Sequence, residues 1–155
     1  MSPSQRTRDQ MRPGRWGAAG EFRSPREVMS LAPSNANVAV ARRFVARWFA
    51  GTAGLDPASD AIADLALVAS ELVTNAFEHG GEEPIDVEVS FDGATCTIAV
   101  SSDGVDGLAP SSEWAVAGTH SVTGRGLGIV KSLVDSIDVR RDGGRLTVSV
   151  TRRVG

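Results

Sequence analysis

Two turn signatures, each flanked by segments that alternate apolar and polar residues, constrain this chain more than any other feature. Ile85, Val87 and Val89 alternate before Asp92-Gly93, and Cys96, Ile98 and Val100 alternate after it. Near the end, Ile137 to Arg141 and then Leu146, Val148 and Val150 flank Asp142-Gly143-Gly144. Alternation puts every second side chain on one face of a strand, and such turns supply the positive φ that tight hairpins need. Each stretch is read as a β-hairpin with one apolar face, which has to be covered.

Helices supply the cover. After a strand at Arg26 to Leu31 and a turn at Pro33-Ser34, Val38, Ala41, Phe44, Val45, Trp48 and Phe49 recur at helical spacing. Arg42, Arg43 and Arg47 fall on the other side, and Gly51 and Gly54 end this helix. Asp56-Pro57 reads as the start of the next, with aspartate as N-cap and proline at the first helical position. It runs to about Glu78 and stops at Gly80-Gly81. A third helix is expected from about Gly126 to Ser136, striped by Ile129, Leu133 and Ile137. Residues 101–123 form a long irregular stretch, the length at which loops serve as lids. The order is strand, helix, helix, hairpin, lid, helix, hairpin. It predicts an α+β two-layer sandwich, mostly antiparallel, with the helices on one face.

The chain has 155 residues and 41% apolar content, enough for one domain with one core. Residues 1–24 lack periodicity and read as a flexible basic tail, with residues 25–155 as the folded domain. Within residues 1–26, six arginines against Asp9 and Glu21 give +4, so the net charge of -3 leaves -7 for the rest. An acidic body argues against nucleic-acid binding by the folded part. A lone Cys96 and two histidines exclude a disulfide framework and a thiolate zinc cluster. No apolar run reaches the roughly 18 residues that span a bilayer, and nothing apolar follows the basic N-terminus. A cytoplasmic protein without membrane contact is expected.

Three places could carry chemistry. Glu71, Asn75 and His79 are four apart and climb the side of their helix opposite Ile62, Leu65, Ala69, Leu72, Val73, Ala76 and Phe77. The bland reading of such a ladder is a solvated face. Asparagine is a poor interior helix residue, however, and the ladder joins an oxygen ligand for a hard cation to a carboxylate for proton transfer. Gly124-Arg125-Gly126-Leu127-Gly128 leads into a helix, where free amides and the helix dipole attract phosphate. It is neither a dinucleotide fingerprint, because Ile129 stands three past Gly126, nor a Walker A loop, because no glycine precedes Lys131-Ser132. Ser101 to Gly107 is a turn-rich loop after a strand. His120 reads as a surface residue, and Cys96 as core filling.

In this order the three places resemble the GHKL ATPase superfamily. Ser70-Glu71-Leu72-Val73-Thr74-Asn75-Ala76-Phe77-Glu78-His79-Gly80 is similar to its N box, and Gly124 to Gly128 to its second glycine box. The closest likeness is to the small bacterial anti-sigma-factor serine/threonine kinases, over about residues 26–152. The resemblance implies a GHKL (Bergerat-type) ATP-binding fold with ATP and Mg²⁺ as cofactors. Asn75 would ligate the metal, Glu71 would act as general base and His79 would flank the phosphates. Arg125 with Gly124, Gly126, Leu127 and Gly128 would hold them, under a lid at residues 108–123. The family's first glycine box, Asp-x-Gly-x-Gly, does not fit cleanly. One register sets Ser102 in place of its aspartate, with Gly104 next and Asp106 for the last glycine. The other makes Asp103 the adenine acceptor, with Val105 in the middle, and this one is favoured.

The resemblance implies an anti-sigma factor that phosphorylates an antagonist (anti-anti-sigma) protein on serine or threonine. Its partners would be a sigma factor and that antagonist, with Arg42, Arg43 and Arg47 as a candidate contact face. The alternative is a non-catalytic GHKL module that sequesters a partner with or without nucleotide. A homodimer is compatible with either.

Overall fold

The computed structural model describes residues 24–103 and 122–154. The tail before residue 24, Gly104, His120 and nearly all of the expected lid lie outside the described residues. The chain order is β1 (Arg26–Leu31), α1 (Ala36–Thr52), α2 (Asp60–His79), β2 (Ile85–Phe91), β3 (Thr95–Asp103), α3 (Val122–Leu133), β4 (Ser136–Asp142) and β5 (Arg145–Arg153). The strands form one antiparallel sheet in the order β1-β2-β3-β5-β4. The α+β architecture expected from the hairpins is present.

Alternation becomes register in the sheet. Val87, Val100 and Val148 stand opposite one another across β2, β3 and β5, as do Val89, Ile98 and Val150. All six are buried, with Ile85, Cys96 and Leu146, so one face of the sheet is the core floor. The other face is polar, and there the Ser101 and Thr147 hydroxyls meet at 2.7 Å. The β4–β5 turn is Gly143-Gly144 at φ 56° and 84°, the type I′ geometry that matches strand twist and that side chains resist. Burial pushes the Cys96 thiol up to about 11, so at neutral pH it remains a neutral, core-filling thiol.

Helix α1 buries Ala41, Val45 and Phe49, one residue per turn, and runs through Gly51. Helix α2 is more deeply enclosed, because it packs against α1, α3 and the sheet. Its buried set includes Ile62, Leu65, Val68, Leu72 and Val73, and also Asn75. At about 100° per residue Val68 falls between Leu72 and Asn75, so the buried arc reaches the polar ladder instead of stopping short of it. Among the described residues, no helix is long and apolar enough to cross a membrane.

Two helix starts differ from the sequence expectation. Asp56 does not cap α2; its carboxylate accepts from the Ala58 amide at 2.9 Å, closing a local turn. The cap is Ser59, extended at ψ 156°, whose hydroxyl accepts from the Ile62 amide at 3.3 Å. Ser59→Ala is expected to cost about 1 kcal/mol, read as a lower urea midpoint, and Asp56→Ala clearly less. The reverse order would return the cap to Asp56. Helix α3 begins at Val122, ahead of the glycine run, and ends at Leu133. It buries Val130 and leaves Ile129 40% exposed, and Ile137 belongs to β4 and continues no helical stripe.

Candidate functional site

The C-terminal half of α2 lies over β3 and β5, and between them is a small cavity of about 10 Å³. Leu72, Asn75, Ala76 and His79 line it from the helix, and Val100, Ser102, Leu146 and Val148 from the sheet. The helix end is let down onto the strand by Gly80. A Cβ there would stand 2.4 Å from the Ala76 carbonyl of α2 itself and 3.3 Å from Ser102 Cβ, so a side chain would distort the helix end and crowd β3. A glycine that the sequence offers as a helix stop thus also allows the helix end its close approach to β3.

Asn75 is the unusual feature of this cavity. It is 3% exposed, and neither its side-chain oxygen nor its nitrogen has a hydrogen-bond partner among the described residues. Orphaned buried polar atoms are rare and costly, each worth about 1–3 kcal/mol, and those that persist have a reason outside the fold. Here the amide lines a small cavity, so an oxygen of water or of a bound ligand is its natural partner. His79 lines the same cavity one turn later.

Glu71 lies one turn before Asn75, partly buried, outside the described lining, with no hydrogen bond or ion pair to another described residue. The glycine run is inside α3, so Gly126, Leu127 and Gly128 are the fifth to seventh residues of the helix, not part of a loop before it. The amides left open at a helix start are its first four, which here fall on Val122 to Arg125. The C-terminal end of α3 is pinned. Arg152 donates to Asp64 of α2 at 2.6 Å and to the Leu133 carbonyl at 3.2 Å. The Asp135 carboxylate accepts from the Arg153 amide at 2.6 Å. Sequence reasoning missed this clamp, because 88 positions separate Arg152 from Asp64.

The two registers for the loop after β3 can now be compared. Burial along β3 alternates, with Cys96, Ile98, Val100 and Ser102 facing the core. Ser102, 6% exposed, therefore lines the cavity, and Asp103 belongs to the opposite face. There Asp103 is 3.4 Å from Arg145, whose guanidinium also donates to Asp86, the Ser101 carbonyl and the Pro84 carbonyl. The geometry favours the register that puts Ser102, not Asp103, in the cavity.

Among the described residues no group of three or more His, Cys, Asp and Glu side chains could hold a metal. A magnesium ion commonly takes only one or two protein oxygens and completes its octahedron with water and phosphate. A single orphaned amide oxygen fits that donor set.

A histidine kinase-like ATPase domain model matches residues 31–152. Among solved structures, the chain is similar to "the RsbU and RsbW domains of Rv1364c from Mycobacterium tuberculosis", at 22% identity and a TM-score of 0.59. The similarity covers 83% of this chain and 32% of that one, so the chain spans about a third of its length, and the likeness is one of fold. No curated protein matches the chain.

Proposed function

On the premise that the chain belongs to the histidine kinase-like ATPase domain family, we propose that it binds Mg-ATP and acts as an anti-sigma factor with serine/threonine kinase activity toward an antagonist protein. The observation that carries this reading is Asn75, a buried amide with no hydrogen-bond partner among the described residues, lining a cavity. The Asn75 carbonyl oxygen is the proposed magnesium ligand, and bound Mg²⁺ neutralises phosphate charge. The open N-terminal amides of α3 and the Gly124-Arg125 segment would hold the phosphates, while the Arg152–Asp64 clamp fixes the far end of the helix. Glu71 accepts the proton of the attacking serine or threonine hydroxyl. Phosphoryl transfer needs mainly position and charge neutralisation, and this set of groups provides both.

The sequestration reading keeps the cavity and drops the role of Glu71. The absence of a carboxylate from the described lining favours it to the extent that base recognition is weakened.

The deciding experiment uses radiolabelled ATP with the full chain and candidate antagonist proteins. Label on a serine or threonine of one of them, lost when magnesium is chelated, is the expected result. Tight Mg-ATP binding with no label on any candidate would move the function to sequestration.

A further inference from the structure

We propose that the groove between β1 and α1 docks an extended, acidic segment of a partner protein, which joins the sheet as a strand beside β1. Such docking needs no bound nucleotide. Strand β1 is the outermost on its side of the described sheet. The Phe91 amide donates to the Pro25 carbonyl at 3.1 Å, and the register continues from Arg26↔Ser90 to Leu31↔Ile85. Backbone bonds alternate along an antiparallel pair, so Glu27, Met29 and Leu31 turn their amides and carbonyls to β2. Arg26, Val28 and Ser30 turn theirs outward, where a further strand can pair with them. Val28 is 49% exposed, an apolar side chain where edge strands commonly carry charge.

Alongside this edge lies a groove of about 460 Å³, against about 10 Å³ for the cavity at Asn75. Its apolar lining is Met29 of β1 with Val40, Phe44 and Trp48 of α1. All four are only partly buried, so the core is open along this side. A strand added at β1 would send every second side chain into the groove. The charge of the occupant follows from α1, which carries Arg42, Arg43 and Arg47 and no acidic residue. Arg43 and Arg47 line the groove with Glu27, and neither guanidinium has an ion pair among the described residues. The same charges disfavour two other occupants. Residues 1–23 carry five arginines against Asp9 and Glu21, and a second copy would bring the same two arginines to the seam.

The test starts from random peptides displayed on phage and selected on the full chain without nucleotide. Enriched sequences are expected to alternate apolar residues with Asp or Glu and to lack a central proline. A synthetic peptide of the enriched sequence, followed by fluorescence anisotropy, is expected to bind the Arg43→Glu, Arg47→Glu double variant about tenfold or more weakly. Methylating alternate backbone nitrogens of the peptide is expected to abolish binding in one parity and spare it in the other, which a helical occupant would not do. No enrichment, enrichment of basic sequences, indifference to the charge reversal, or equal loss in both parities would overturn the proposal. Peptide binding that appears only after residues 1–23 are deleted would make that segment the occupant instead. A dimer in sedimentation that excludes the peptide would give the groove to a second copy.

Discussion

Asn75→Ala is expected to abolish Mg²⁺-dependent nucleotide binding and to leave the apo fold at least as stable as the wild type. The two halves of this expectation come from one observation. Neither polar atom of the Asn75 side chain has a hydrogen-bond partner among the described residues, and the residue is 3% exposed. A buried amide paired within the fold would cost about 1–3 kcal/mol to remove, because its partner would be left orphaned. Asn75 leaves no such partner behind among the described residues, so truncation removes an unmet desolvation cost and loses only the packing of one amide group. A ligand site built at the expense of stability behaves in this way. Thermal unfolding and Mg-ATP calorimetry on the same preparation check both halves. A variant with wild-type Mg-ATP affinity would remove Asn75 from the site. One that is strongly destabilised would make it a structural residue.

The fold was legible because its signals were periodic. Alternation around Asp92-Gly93 and Gly143-Gly144 gave the strands, and the three- and four-residue spacing of Ala41, Val45 and Phe49 gave α1. The site was legible in its residue types and less so in its geometry. The ladder looks separate from the apolar arc when Val68 is left out of it. Once α2 is enclosed on several sides, Val68 carries burial round to Asn75. The register of Ser102 was available from parity, since Cys96, Ile98 and Val100 face inward and two more residues reach Ser102. A motif spelled with an aspartate drew attention to Asp103 instead. The start of α3 was misplaced because glycines are poor interior helix residues, and propensity alone reads them as a loop. The structure places them in the helix, against a terminus held by Arg152 and Asp135. Nothing local in the sequence announces those two contacts.

The second large effect is expected at Glu71, and it separates transfer from binding. Glu71 stands one turn before the proposed metal ligand, partly buried, with no ion pair to a described residue. A carboxylate there does little to hold a polyanion and by charge alone opposes it. A base that receives the proton of an attacking hydroxyl acts in the transition state and not in the bound ground state. Glu71→Ala is therefore expected to keep Mg-ATP affinity within a few-fold while cutting phosphate transfer to the antagonist protein by roughly 10² or more. Glu71→Gln, which keeps the shape and removes the basicity, is expected to lose transfer to a similar degree. The proposed sigma-factor contact, tested by pull-down, is expected to survive in both variants if it uses the exposed Arg42, Arg43 and Arg47 on α1. Single-turnover transfer and calorimetry together decide the matter. If Glu71→Ala binds and transfers like the wild type, the base lies elsewhere. If wild type and variant both bind Mg-ATP and neither transfers, the carboxylate has no chemical task, and the chain works by holding its partner.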